Sequence, residues 1–318
     1  MPLPALSDTL RLPVIASPMF IVSGPELVIA QCKAGIVGSF PALNARPAAR
    51  LDEWLRQIDA ELAGVEGVAP FAVNLIVHKT NSRLEQDLAT CARWKVPLVI
   101  TSLGAREDVN AAVHGWGGLV LHDVIDDAFA RKAIAKGADG LIAVAAGAGG
   151  HAGSQSPFAL VQEIREWFAG PLVLSGAIAC GRSILAAQAM GADLAYIGSP
   201  WIATPEANAP EAYKQAIVAG HAADIVYSNL FTGVHGNYLR PSILAAGLDP
   251  DHLPASDPGK MDFGSGGNSA AKAWKDIWGS GQGIGAVKAV ESVAARVDRL
   301  SAEYREAKRE LAARLGMG

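Results

Sequence analysis

The sequence predicts an α/β fold, a (β/α)₈ TIM barrel with a smaller lid domain inserted after the eighth strand. Three observations carry that expectation. Eight short, β-rich apolar runs recur at intervals of about 26 residues, enough for a strand, a crossover helix and two loops. The segments between them, such as "DEWLRQIDAEL" and "ALVQEIREWF", place apolar residues at helical spacing. Finally, half of the 318 residues are hydrophobic, 34 are Gly and 18% are charged, a balance suited to strands buried on both faces and joined by tight turns.

The runs, in order, are "VIASPMF" (14–20), "GIVGSF" (35–40), "FAVNLIV" (71–77), "PLVITSL" (97–103), "GGLVLHDV" (117–124), "GLIAVAA" (140–146), "PLVLSGAI" (171–178) and "LAYIGS" (194–199). Eight parallel βα units close most naturally into a barrel. More than a hundred residues follow Ser199, far beyond the one helix needed to complete the eighth unit. Residues 201–223 read as helical, and 224–280, rich in Gly, Pro, Asn and Asp with interspersed aromatics, read as an irregular lid over the barrel mouth. Apolar residues at helical spacing from Ile284 to Leu315 predict a long amphipathic helix packed on the barrel wall. The expected division is a barrel of residues 1–200 with a C-terminal helix 284–318, and a lid of 201–283.

A net charge of −4 without long basic or acidic runs favours small-molecule partners over nucleic acid or an anionic membrane. Cys32, Cys91 and Cys180 are widely spaced and odd in number, which fits reduced thiols in a cytoplasmic protein. The N-terminal "MPLPALSDTLRLP" has no signal-peptide core, and no apolar run has the length of a membrane span. A homo-oligomer is left open.

In this fold chemistry collects at the C-terminal strand ends. The seventh and eighth runs end in "LSGAI" and "YIGS", where backbone N–H groups and a helix N-terminus suit a phosphate-bearing cofactor and glycine permits its close approach. No HxH, HExxH or carboxylate cluster suggests a metal. None of the runs contains a lysine for Schiff-base chemistry, which leaves acid–base or redox chemistry at a bound cofactor. His151, directly after "AGAGG", is a proton acceptor titrating near neutrality above such a cofactor, or else a hydrogen-bonded loop histidine. Asn74 either meets a flat polar ring edge or caps the next loop. His122 either touches cofactor or is structural; His235 faces the substrate or orders its turn; Met19 packs on a ring or fills the barrel top.

These residues resemble the FMN-dependent nitronate monooxygenases, also called 2-nitropropane dioxygenases, over nearly the whole chain. The likeness rests on "SPM", "FAVNLIV", "AGGHAG", "LSGAI", "YIGS" and the C-terminal "KAWKDIWGSGQGIGAV", similar to a W-x-x-G-Q-G ending. The resemblance implies that His151 removes the α-proton of a nitroalkane and that FMN oxidises the nitronate, with O₂ as electron acceptor. It also implies that Asn74, the Gly149–Gly150 pair, the Ser175, Gly176 and Ala177 turn, and Tyr196, Ile197, Gly198 and Ser199 hold FMN, with Met19, His122 and Gln282 nearby. Many members carry a glutamine where this chain has Val144, an acidic residue at Gly147, and a glutamine at Tyr196. Relatives sharing barrel and flavin reduce quinones or enoyl thioesters with NAD(P)H, the alternative activity.

Overall fold

A computed structural model describes residues 9–256 and 276–316. The barrel strands are β1 (Val14–Ala16), β2 (Gly38–Pro41), β3 (Phe71–Ile76), β4 (Leu98–Ser102), β5 (Leu119–Val124), β6 (Gly140–Val144), β7 (Leu172–Ser175) and β8 (Leu194–Ile197). All pairings are parallel, β8 pairs with β1, and the bridge between Ile15 and Val37 closes the remaining gap between β1 and β2. All eight expected runs are therefore strands, in the expected order.

Alternation along each strand separates two apolar layers. Ile15, Ala72, Leu98, Ile100, Leu121, Ile142, Val173 and Leu194 point inward and fill the barrel. Their neighbours Val14, Val73, Val99, Val120, Leu141, Leu172 and Ala195 pack beneath the helices. Burying each such aliphatic side chain contributes roughly 1.5–3 kcal/mol. Helix starts are set by Pro25 and Pro157 at first-turn positions, and by Asp126, whose side chain accepts from the Phe129 N–H at 2.8 Å.

Two helical expectations need correction. The C-terminal helix starts at Val293 rather than Ile284, because Ser292 caps it by accepting from the Ala295 N–H at 3.2 Å, while Gln282–Ala286 forms a 3₁₀ turn. Residues 201–223 are broken into Ser199–Ile202, Glu211–Ala219 and a 3₁₀ turn at Ala222–Asp224, with Pro205 and Pro210 in the interruption. The helix Val293–Arg314 does lie on the barrel wall: fully buried Arg296 donates from Nη2 to the carbonyls of Ala203 and Ala289 at 3.1 and 2.8 Å. Among the described residues no helix is long and apolar enough to cross a membrane.

The segment expected as a lid contains an antiparallel ribbon, Ile225–Ser228 with Gly236–Leu239. Its second strand also pairs with Gly150–His151 from the loop after β6, so the lid sheet crosses the expected boundary at residue 200. The part of the expected irregular lid at 257–275, including "KAWK" of the C-terminal motif, lies outside the described residues.

Candidate active site

The C-terminal strand ends line a cavity of about 2040 Å³. That exceeds the 300–1,000 Å³ typical of a single small-molecule site and gives room for a cofactor and a substrate together.

The loop after β6 shapes one wall. Gly147 and Gly150 have φ of 84° and 66°, the left-handed region that glycine enters without a Cβ clash. The Gly147 carbonyl accepts from the N–H groups of Ala177 (3.3 Å) and Gln282 (2.9 Å), joining this loop to the β7 loop and the C-terminal segment. Gly149 permits the last contact, since a Cβ there would lie 2.8 Å from the Gly281 nitrogen.

His151 leaves this loop opposite Gly236 in the lid sheet. Its Nε2 lies 2.9 Å from Thr232 Oγ1, and that hydroxyl donates to the Val234 carbonyl at 3.0 Å. A hydroxyl has one proton, so with that proton on the Val234 carbonyl Thr232 suits the His151 tautomer protonated on Nε2, whose lone pair is on Nδ1. Burial pushes His151 down to about 4, below the near-neutral titration expected from the sequence: the imidazole is neutral at pH 7, with its lone pair available, but it is a weaker base than an ordinary histidine. Behind it, Ala152 N–H donates to the His235 carbonyl at 3.2 Å, and the His235 ring stacks on Tyr227 at 5.1 Å.

On the adjoining wall three side chains from the neighbouring strands β3, β4 and β5 form a chain. Asn74 Nδ2 donates to Ser102 Oγ at 2.7 Å and to the Ile100 carbonyl at 3.1 Å; Ser102 Oγ donates to Asp123 Oδ2 at 2.5 Å. Burial pushes the Asp123 carboxyl up to about 7. Burial, with the Asp123 charge adding to it, pushes the Tyr196 phenol well above its ordinary value. Asp123 Oδ1 and Tyr196 Oη are both buried without a hydrogen-bond partner among the described residues.

The β7 and β8 ends complete the cavity. Gly176 and Ala177 have φ of 141° and 53°, a tight reversal that presents the following backbone to the cavity. The N–H groups of Ile178, Gly198 and Ser199 donate to no other described residue. Ser199 Oγ accepts from the Gly281 N–H at 2.8 Å.

Met19, Asn74, Gly149, Gly150, His151, Ser175, Gly176, Ala177, Tyr196, Gly198 and Ser199 thus border one cavity. Ile197 and Gln282 do not: the Ile197 side chain belongs to the layer beneath the helices, and Gln282 is exposed behind Gly147. His122 also borders the cavity, but it has the strand parity of Val120 and Val124, and its Nδ1 lies 2.6 Å from Thr101 Oγ1. The inward position belongs to Asp123. Sequence reasoning missed Ser102, Asp123 and Thr232, although alternation along "LVLHDV" was a usable signal: with Leu119 and Leu121 facing inward, Asp123 follows and His122 does not.

Residues 78–246 match the model of the Nitronate monooxygenase family. A nitronate monooxygenase of Paraburkholderia phytofirmans is 28% identical over 313 residues, covering 82% of each chain. A (3aS,4S,5R,7aS)-5-hydroxy-7a-methyl-1-oxo-octahydro-1H-indene-4-carboxyl-CoA dehydrogenase of Mycobacterium tuberculosis is 26% identical over 237 residues, 73% of this chain and 64% of that one. The structure of a nitroalkane oxidase from Streptomyces ansochromogenes superposes with a TM-score of 0.80 at 27% identity, covering 96% of this chain and 99% of that one.

Proposed function

Since the chain belongs to the nitronate monooxygenase family of oxidoreductases, we propose that it binds FMN in this cavity and oxidises nitronates and nitroalkanes with O₂, using His151 as general base. The observation that carries the reading is that the His151 imidazole and the unclaimed N–H groups of Ile178, Gly198 and Ser199 border the same cavity. Those N–H groups fit a terminal phosphate, because donors that line a cavity without a protein acceptor are matched best by an anion. Asn74, at the inward end of β3, fits the polar edge of a flat ring, and Met19 and Tyr196 fit its faces and rim.

Bound FMN would supply the redox chemistry, with O₂ as electron acceptor. The protein supplies the proton step. His151 Nδ1 takes the α-proton of the neutral nitroalkane, the C–H electron pair becomes the C=N bond of the nitronate, and Thr232 Oγ1 holds the resulting imidazolium through Nε2–H. A flavin absorption band in the purified protein, FMN released on denaturation, and bleaching of that band by nitronate under anaerobic conditions are the expected results. A colourless protein that takes up no FMN would overturn the reading.

A second activity, flavin-dependent reduction of quinones or enoyl thioesters by NAD(P)H, would use the same cavity, which has room for a larger substrate beside the cofactor. The likeness to a dehydrogenase of a carboxyl-CoA compound supports the same alternative. Rapid anaerobic bleaching by NADH or NADPH would select it.

A further inference from the structure

Asn74, Ser102 and Asp123 occupy the inward positions at the ends of three neighbouring strands, and their protons can be assigned one by one. Both Asn74 amide hydrogens are committed, one to the Ile100 carbonyl at 3.1 Å and one to Ser102 Oγ at 2.7 Å. With the Asp123 carboxyl ionised, the single Ser102 proton goes to its Oδ2 at 2.5 Å. A flipped Asn74 amide would set its oxygen against the Ile100 carbonyl. It would also ask Ser102 for the proton that Asp123 holds.

We infer that Asp123 is a positioning residue: through the Ser102 hydroxyl it locks the Asn74 amide with Oδ1 turned to the cavity, so that the ligand taken at this wall must present an N–H donor. The inference rests on the FMN reading and deepens it. An oxidised isoalloxazine has one N–H group, at N3, so the imide edge of the flavin is the part that meets this wall. Asp123 is otherwise expensive to keep in place. Its Oδ1 is buried without a partner among the described residues, a neutral aliphatic residue would suit the layer containing Ile100 and Ile142 better, and burial already pushes the carboxyl up to about 7. A side chain that costs this much and ends in a relay of fixed direction points to a role in recognition.

The test follows bound FMN spectroscopically in the wild type and in Ser102→Ala, Asp123→Ala and Asp123→Asn. Each protein is loaded with FMN, its dissociation constant measured, and the visible absorption change on N3 deprotonation followed to alkaline pH. In the wild type that transition lies above the value for free FMN by about one pH unit or more, because a bonded N–H gives up its proton tenfold less readily per unit. Ser102→Ala and Asp123→Ala lower it by about half a unit or more and weaken FMN binding up to about tenfold. Asp123→Asn, whose amide oxygen still accepts from Ser102, keeps most of the shift. If Asp123→Ala does not fold, Ser102→Ala carries the same comparison with the carboxylate in place. A full shift retained in Ser102→Ala would overturn the relay while leaving FMN binding established. Failure of the wild type to bind FMN would overturn the flavin reading and the relay with it.

Discussion

Gly149 and Gly281 meet backbone to backbone: a Cβ on Gly149 would lie 2.8 Å from the Gly281 nitrogen, and one on Gly281 would lie 2.7 Å from the Gly147 carbonyl oxygen. Neither obstacle is a flexible side chain, so neither can move aside cheaply. Gly149→Ala is therefore expected to push the C-terminal segment off the loop that carries His151. The cost should be about 1–3 kcal/mol, a melting temperature lower by several degrees. A variant melting with the wild type would show that the segment yields freely.

His151→Asn separates the two forms of the substrate. Losing the base should lower the rate on a neutral nitroalkane by about 10²–10⁴-fold. A preformed nitronate has already lost that proton, so turnover on it should survive, as should FMN content. Equal losses on both forms, with full flavin, would assign His151 to binding instead of proton transfer.

The same histidine makes stability depend on pH. Burial holds His151 and His122 down to about 4, below the ordinary histidine value near 6.5. At these two groups the unfolded chain therefore binds more protons between pH 6.5 and 4, and the stability they contribute above 6.5 is lost as pH falls through that window, while Asp123, raised to about 7, acts with the opposite sign in both proteins. Replacing His151 by Asn removes one such group, so the apo variant should lose less stability than wild type between pH 7 and 4.5, by roughly 3 kcal/mol at most. Urea unfolding at the two pH values measures it; parallel losses in both proteins would place a more solvated imidazole at 151.

Gly176→Asp tests the phosphate end. With φ of 141°, and a Cβ position 2.8 Å from the Ala146 carbonyl, any side chain at 176 strains the turn, and Asp adds negative charge where an anion is expected. Gly176→Ala measures the strain alone. FMN content after purification should fall much further in Asp than in Ala. Equal content in the two would move the phosphate elsewhere.

The barrel was legible because each strand is buried on both faces, so that "PLVITSL" or "GLIAVAA" stands out as a short apolar run whatever its neighbours. His151 stood out as a candidate because the glycines before it break that pattern at a strand end. Thr232 was not, since it reaches His151 from 81 positions away in sequence. Pairing of Gly150 and His151 with Gly236 and Asn237 is a two-residue backbone contact that leaves no side-chain periodicity to read. The helix drawn from Ile284 failed for a local reason: apolar spacing continues through a segment that the Ser292 cap cuts off.

Because the backbone of His151 is itself a strand of the ribbon, the imidazole and the segment Gly236–Leu239 cannot be displaced independently. Breaking the rungs between Gly150–His151 and Gly236–Asn237 would release the imidazole from Thr232 in the same event. The amides of this short sheet should then exchange with solvent as one cooperative unit. On the proposed reading, a molecule that tightens the ribbon would sharpen the base, and one that loosens it would slow proton removal while the Ile178, Gly198 and Ser199 N–H groups stay in place.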